Sequence, residues 1–165
     1  PVPPAAASQN AASKGQHFLF STGRFCIGVE KYSDAQGQTL DMARILQGPA
    51  AVTNDNVIVQ AQRMDSQAKH GVIARGGAEW YIRLPKPGYR EWIWDHAAGY
   101  VVVTEAGGTM TDTSGRPLDF SQGAQLPPSV KGVLMSSGGL WHEALVEAYA
   151  AVDAAMENNR ATAEQ

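Results

Sequence analysis

The stretch DHAAGYVVVTEAGG, residues 95–108, constrains the fold more than any other part of this chain. Its run of alanine, glycine, tyrosine and valine has no polar side, so it asks to be covered all round. Two readings stand side by side. By composition YVVVT is a strand, because β-branched residues fit a pleated surface. By context, 95–106 is a buried helix: Asp95 is a good N-cap and Gly107-Gly108 a good stop. An Asp in that place needs no role beyond the cap.

The rest of the chain supplies elements for such a segment to pack against. FCIGVE (25–30) and NVIVQAQRM (56–64) read as strands. TLDMARILQ (39–47) reads as a helix stopped by Gly48-Pro49. Asp65 or Ser66 caps a helix that Gly76-Gly77 ends. AEWYIRL (78–84) then alternates strictly, with Trp80, Ile82 and Leu84 on one face and Tyr81 and Arg83 on the other. A turn at Pro85, Pro87 and Gly88 follows. GTMTDTSGRPLDF (108–120) reads as strand, turn at Ser114-Gly115 and second strand, and KGVLMSSGG as a buried strand. LWHEALVEAYAAVDAAM (140–156) is an amphipathic helix with Leu140, Ala144, Leu145, Ala148 and Val152 on its apolar face. Residues 1–16 and 157–165 have little to bury and read as linker and tail. Strands alternating with helices make a layered α/β or α+β domain.

Composition excludes several classes. At 165 residues the chain holds one domain, and 44% hydrophobic with 18% charged residues is ordinary for a globular one. A net charge of −3 gives no basic surface for nucleic acid. Cys26 is the only cysteine, so no internal disulfide forms, and it reads as a small buried hydrophobe. No stretch spans a bilayer and no signal segment opens the chain, so a soluble cytoplasmic protein without membrane contact is expected. His17, His70, His96 and His142 lack metal-ligand spacing, and no GxSxG, P-loop or GxGxxG occurs.

Two cations are out of place. Lys69 falls in the first turn of its helix, where the macrodipole opposes it by about 0.3–1 kcal/mol. A phosphate held by free amides, the Ser66 hydroxyl and Lys69 would compensate; a solvated lysine is the plain alternative. Arg83 is either a rim ion-pair partner or an anion clamp.

MDSQAKHGVIARGGAEWYIRLP, WIWDHAAGYVVVTEAGGTMTDTSGRPLDF and KGVLMSSG together resemble the C-terminal half of a fungal-type 3'(2'),5'-bisphosphate nucleotidase. These are lithium-sensitive, magnesium-dependent phosphatases of the group that includes inositol monophosphatase. FCIGVEK fits as well, and the resemblance covers residues 18–155. It implies a layered α-β-α-β-α fold, with 17–156 as the C-terminal α/β lobe, and a helix over 94–106 with Asp95 at its start. It implies that Asp95 binds catalytic Mg2+ and lies against the substrate ribose, and that Ser66, Lys69 and Arg83 hold the nucleotide. The implied reaction removes the 3'-phosphate from adenosine 3',5'-bisphosphate or 3'-phosphoadenylyl sulfate, a step linked to sulfur assimilation.

The chain also departs from that pattern. The family's remaining metal carboxylates, in a Glu and a DPIDGT-type segment, and its water-orienting Thr-Asp pair are not in this sequence. Tyr32 and Ser33 stand where the family has His-Ser, and Glu30 and Asp34 are nearby carboxylates that no motif makes ligands. Asp95 alone cannot hold two metal ions. The expected partner is therefore an N-terminal lobe or companion chain bearing those groups. The alternatives are a non-catalytic lobe that binds nucleotide or a partner, and an inositol phosphate phosphatase of the same fold.

Overall fold

A computed structural model describes residues 23–28, 36–55, 61–86 and 88–163. The linker over 1–16 and residues Glu30, Tyr32, Ser33 and Asp34 lie outside the described residues.

Alternating side chains on short strands build a sheet with two cores. The strands are β1 (Phe25–Ile27), β2 (Ala61–Arg63), β3 (Trp80–Arg83), β4 (Thr109–Asp112) and β5 (Val133–Ser136). They form one five-stranded sheet in the order β2-β1-β3-β5-β4. β1 is parallel to both β2 and β3, whereas β5 is antiparallel to both β3 and β4. Phe25 pairs with Trp80, and their rings stack at 4.2 Å. Phe25, Trp80, Ile82 and Leu134 point to one side and meet α1 (Gln36–Gln47) and α4 (Leu140–Ala163). Cys26, Tyr81, Val133 and Met135 point to the other and meet α2 (Ala68–Ala74) and α3 (Ala97–Glu105). Each large apolar side chain so buried contributes about 1.5–3 kcal/mol. The period-2 reading holds over 80–84, with Ala78, ahead of the strand, in the same core as Tyr81, and the architecture is α/β. Cys26 is 1% exposed, and burial pushes its thiol up to about 11, which leaves it protonated and inert.

Four expectations are corrected. Residues 97–105 are helix, which decides the two readings of the valine run, but they are not covered all round. Val103 is fully buried, while Val101 and Val102 are 57% and 51% exposed. The sheet covers one side of α3 and α2 flanks it, and nothing among the described residues covers the side away from the sheet. Leu140 is 54% exposed, because the buried face of α4 runs through His142, Leu145, Tyr149 and Val152. At about 100° per residue, Leu140 lies roughly opposite His142. α4 also continues to Ala163, over residues expected to be tail, with its last turns exposed. Finally, only Thr111–Pro117 bridges where a second strand was expected after Ser114-Gly115. Pro117 has no N–H to extend a ladder, and Asp112 Oδ1 gathers the N–H groups of Ser114 and Arg116 into a turn. No described helix is long and apolar enough to cross a membrane.

Candidate functional site

The turn between β2 and α2 opens the site. Ser66 has φ 54°, left-handed backbone that costs an L-residue about 1–2 kcal/mol. Its N–H donates to Asp65 Oδ1 at 2.7 Å, and its Oγ accepts a long 3.5 Å bond from Ala68 N–H. This tight turn moves the N-cap of α2 to Gln67, not the expected Asp65 or Ser66. The Gln67 side chain caps nothing there; its Nε2 donates to Trp94 O at 2.8 Å, across the site.

Lys69 stands in the first turn of α2, as its sequence position requires, but it is not a solvated lysine. It is 6% exposed, its Nζ donates to Met64 O at 3.3 Å, and it lies 5.2 Å from the centre of the Tyr81 ring. A carbonyl and a π face thus offset part of the macrodipole cost. β3 presents Tyr81 and Arg83 on this same side of the sheet. Arg83 Nε donates to Glu91 Oε1 at 3.0 Å, and the other oxygen, Oε2, is 3.0 Å from His96 Nε2. Burial alone would raise the Glu91 carboxyl, but the His96 hydrogen bond and the Arg83 charge outweigh it and hold it below the usual range.

Asp95 ends a 3-10 turn, Ile93–Asp95, and is exposed; the N-cap of α3 is His96. The expected cap role is therefore corrected. The chain turns once before α3 starts at Ala97, which leaves the Asp95 side chain ahead of the helix. α3 itself is held close to α2 at Gly99. A Cβ there would overlap the His70 imidazole, so only glycine allows this approach. His70 Nδ1 donates to Gln67 O at 3.2 Å, and burial, with neighbouring His96, pushes His70 down to about 4.

Ser66, Lys69, Arg83 and Asp95, from three separate segments, line one pocket of about 330 Å³. Gln67, His70, Tyr81, Glu91 and His96 complete its wall. The volume suits a small ligand. Lys69 and Arg83 place two positive charges in a largely desolvated wall, which suits an anion such as phosphate. A magnesium site fits less well. Among the described residues no group of three or more His, Cys, Asp or Glu is arranged to hold a metal ion. Asp95 offers one exposed carboxylate, and Glu91 is already engaged by Arg83 and His96. Magnesium asks for six oxygen ligands, so these residues alone do not make its site.

Sequence reasoning missed Gln67, Glu91 and His96. Glu91 meets Arg83 and His96 at separations of eight and five residues. β3 ends at Arg83 and α3 begins after His96, so Glu91 shares no helix or strand with either partner and no periodic pattern announces them. Their proximity follows from an extended segment, 90–93, laid against 124–126, where Leu126 N–H donates to Glu91 O at 2.9 Å and Ile93 N–H to Ala124 O at 3.0 Å.

The inositol monophosphatase family matches residues 6–154. A 3'(2'),5'-bisphosphate nucleotidase of Emericella nidulans is 44% identical over 73% of this chain and 32% of its own length. One of Schizosaccharomyces pombe is 41% identical over 78% of this chain and 34% of its own. One of Oryza sativa is 66% identical over 37% of this chain and 17% of its own. The chain thus spans about a third or less of the length of these curated relatives. Among solved structures, the Thermotoga maritima IMPase superposes with TM-score 0.54 at 22% identity, covering 79% of this chain and 41% of that one. SaIMPase-II with bound inositol monophosphate gives 0.53 at 18%, covering 86% and 48%. The structural likeness carries the fold and the sequence match the lineage: this chain belongs to the inositol monophosphatase family.

Proposed function

We propose that this chain is the nucleotide-gripping part of a cytoplasmic, magnesium-dependent phosphatase that removes the 3'-phosphate from adenosine 3',5'-bisphosphate and from 3'-phosphoadenylyl sulfate. One observation carries the reading: Ser66, Lys69, Arg83 and Asp95 converge on one pocket in a chain whose relatives carry the name bisphosphate nucleotidase. Lys69 and Arg83 take the phosphate that is not cleaved, and Ser66 adds a hydroxyl. Arg83 can fork two phosphate oxygens, which a lysine cannot do. Asp95 faces the ribose and supplies one ligand of Mg2+. The other carboxylates come from an N-terminal lobe or companion chain. A second reading, a lobe that binds nucleotide without turning it over, is favoured by the lack of a carboxylate cluster among the described residues.

The binding half of this proposal is tested on the chain as it stands. Titrate it with adenosine 3',5'-bisphosphate, adenosine and inositol monophosphate, then repeat with Lys69→Ala and Arg83→Ala. Losing one charge-assisted contact costs about 1.5–3 kcal/mol, roughly ten- to a hundredfold in affinity. The loss is expected for the bisphosphate and not for adenosine, and it shrinks at high salt. Equal loss for the bisphosphate and for adenosine, or none for either, refutes a shared phosphate site. Tighter binding of inositol monophosphate than of the bisphosphate moves the substrate to the inositol class.

A further inference from the structure

We propose that Glu91 is a positioning residue that fixes the aim of Arg83 and ties it to the turn carrying Asp95. The inference rests on the phosphate-site reading above and adds a residue that nothing in the motif assigns. Glu91 uses both carboxylate oxygens on different partners: Oε1 accepts from Arg83 Nε, and Oε2 from His96 Nε2, each at 3.0 Å. Its side chain is 2% exposed and that of His96 is 4% exposed, whereas Arg83 is 25% exposed and reaches the pocket. The arginine therefore has one edge held by a buried carboxylate, while its side chain, a quarter exposed, lines the pocket. Holding Nε fixes the plane of the guanidinium, and that plane decides whether two nitrogens can meet two phosphate oxygens.

The anchor itself is rigid. Arg90 Nε and Nη2 both donate to Leu126 O, at 3.1 and 2.7 Å, beside the backbone bond from Leu126 N–H to Glu91 O. On the other side His96 is the N-cap residue of α3, next to Asp95. One buried carboxylate thus links β3, which carries the arginine, to the start of α3. Because charged side chains are almost never buried without a partner, Glu91 would be a costly way to fill space alone. Tying two site residues to one support accounts for its presence.

The test uses the whole chain with Glu91→Gln, which keeps the size and can hold only one of the two bonds in its present form, and Glu91→Ala as the stronger variant. In the ligand-free wild type, the Arg83 Nε–H is expected to give a protected, slowly exchanging NMR resonance that Glu91→Gln shifts or loses. Glu91→Gln should weaken adenosine 3',5'-bisphosphate about tenfold or more and leave adenosine unchanged. Combined with Arg83→Ala it should add nothing further, because positioning acts through the arginine. Additive losses, equal losses for both ligands, or an unprotected Arg83 Nε–H in wild type would overturn the proposal. If Glu91→Ala does not fold, Glu91→Gln and the resonance still decide. A wild type that binds neither nucleotide refutes the phosphate-site reading instead, and the resonance then judges the clamp by itself.

Discussion

Burial removes His70 from the titration range of an ordinary histidine. Its imidazole is 3% exposed, its Nδ1–H is committed to Gln67 O, and its pKa falls to about 4. In the unfolded chain the same group takes up a proton near pH 6.5. Between those values the unfolded state binds the extra proton, so stability falls as pH drops. The contribution is complete above about pH 6.5, is lost progressively toward pH 4, and is on the order of 3 kcal/mol. His70→Gln should flatten the stability profile over this window. Denaturant midpoints at pH 7 and pH 4.5 check it; an identical drop in wild type and variant would show that other groups, such as His142 and Glu91, carry the acid sensitivity. Residue identity alone hints at little of this. His70 reads in the sequence as one of four histidines without metal spacing, and its environment is created by α3. Lys69 was more legible, since a lysine in a helix's first turn breaks a local electrostatic rule that can be seen without coordinates. Asp95 was legible as a special residue but not in its role, because the 3-10 turn that takes it off the helix cap depends on Gln67 and on the 124–126 segment.

At the scale of elements, the contact between α2 and α3 decides the geometry of the pocket. Gly99 is a point of close approach, and the segment it belongs to was the one whose secondary structure the sequence left open. Three valines favour a strand; what makes it a helix is tertiary, namely Val103 in the core below the sheet and Gly99 against His70. Gly99→Ala should therefore cost about 1–3 kcal/mol by overpacking, more than helix propensity would return. It should also weaken bisphosphate binding, because Asp95 and His96 lead directly into α3 while α2 carries Lys69 and His70, and all four line the pocket. Adding His70→Ala makes room for the new methyl, so the double variant should be less destabilised than the two single losses summed. Equilibrium unfolding of the four proteins measures this coupling; strict additivity would mean that the two residues are not in contact. Strict alternation over 80–84 fixes which face enters which core, and in α4 Leu145, Ala148 and Val152 are buried as expected while Leu140, at the first position, turns outward.

At the scale of the whole molecule, the proposed function separates binding from chemistry. The sheet covered by α1 and α4 on one face, and by α2 and α3 on the other, is enough to assemble Ser66, Lys69, Arg83 and Asp95 around 330 Å³. That convergence follows from the fold, and only the resemblance of the motifs, not their spacing, brought those four residues together beforehand. Trp94, in the turn that carries Asp95, and Val101 and Val102, in α3, are all more than half exposed. Phosphoryl transfer with metal assistance needs several carboxylates holding ions about 3.5–4 Å apart, so that water is activated and the leaving oxygen stabilised. The described residues offer Asp95 and no cluster. The expected outcome is that the purified chain binds adenosine 3',5'-bisphosphate yet releases no phosphate from it in the presence of magnesium. The measurement is phosphate release, with the binding titration run on the same sample, so that an inactive result is not mistaken for an unfolded one. Turnover near 1 s⁻¹ or above, an ordinary enzymatic rate, would show that this chain holds a complete metal site. Binding without turnover, joined by turnover when a lobe bearing the missing carboxylates is added, would place the gripping function here and the metal chemistry at the junction. In that two-lobed protein Asp95→Asn should bind nucleotide but turn it over at least a hundredfold more slowly, since an amide is a poorer magnesium ligand and Asp95 has no cap to lose.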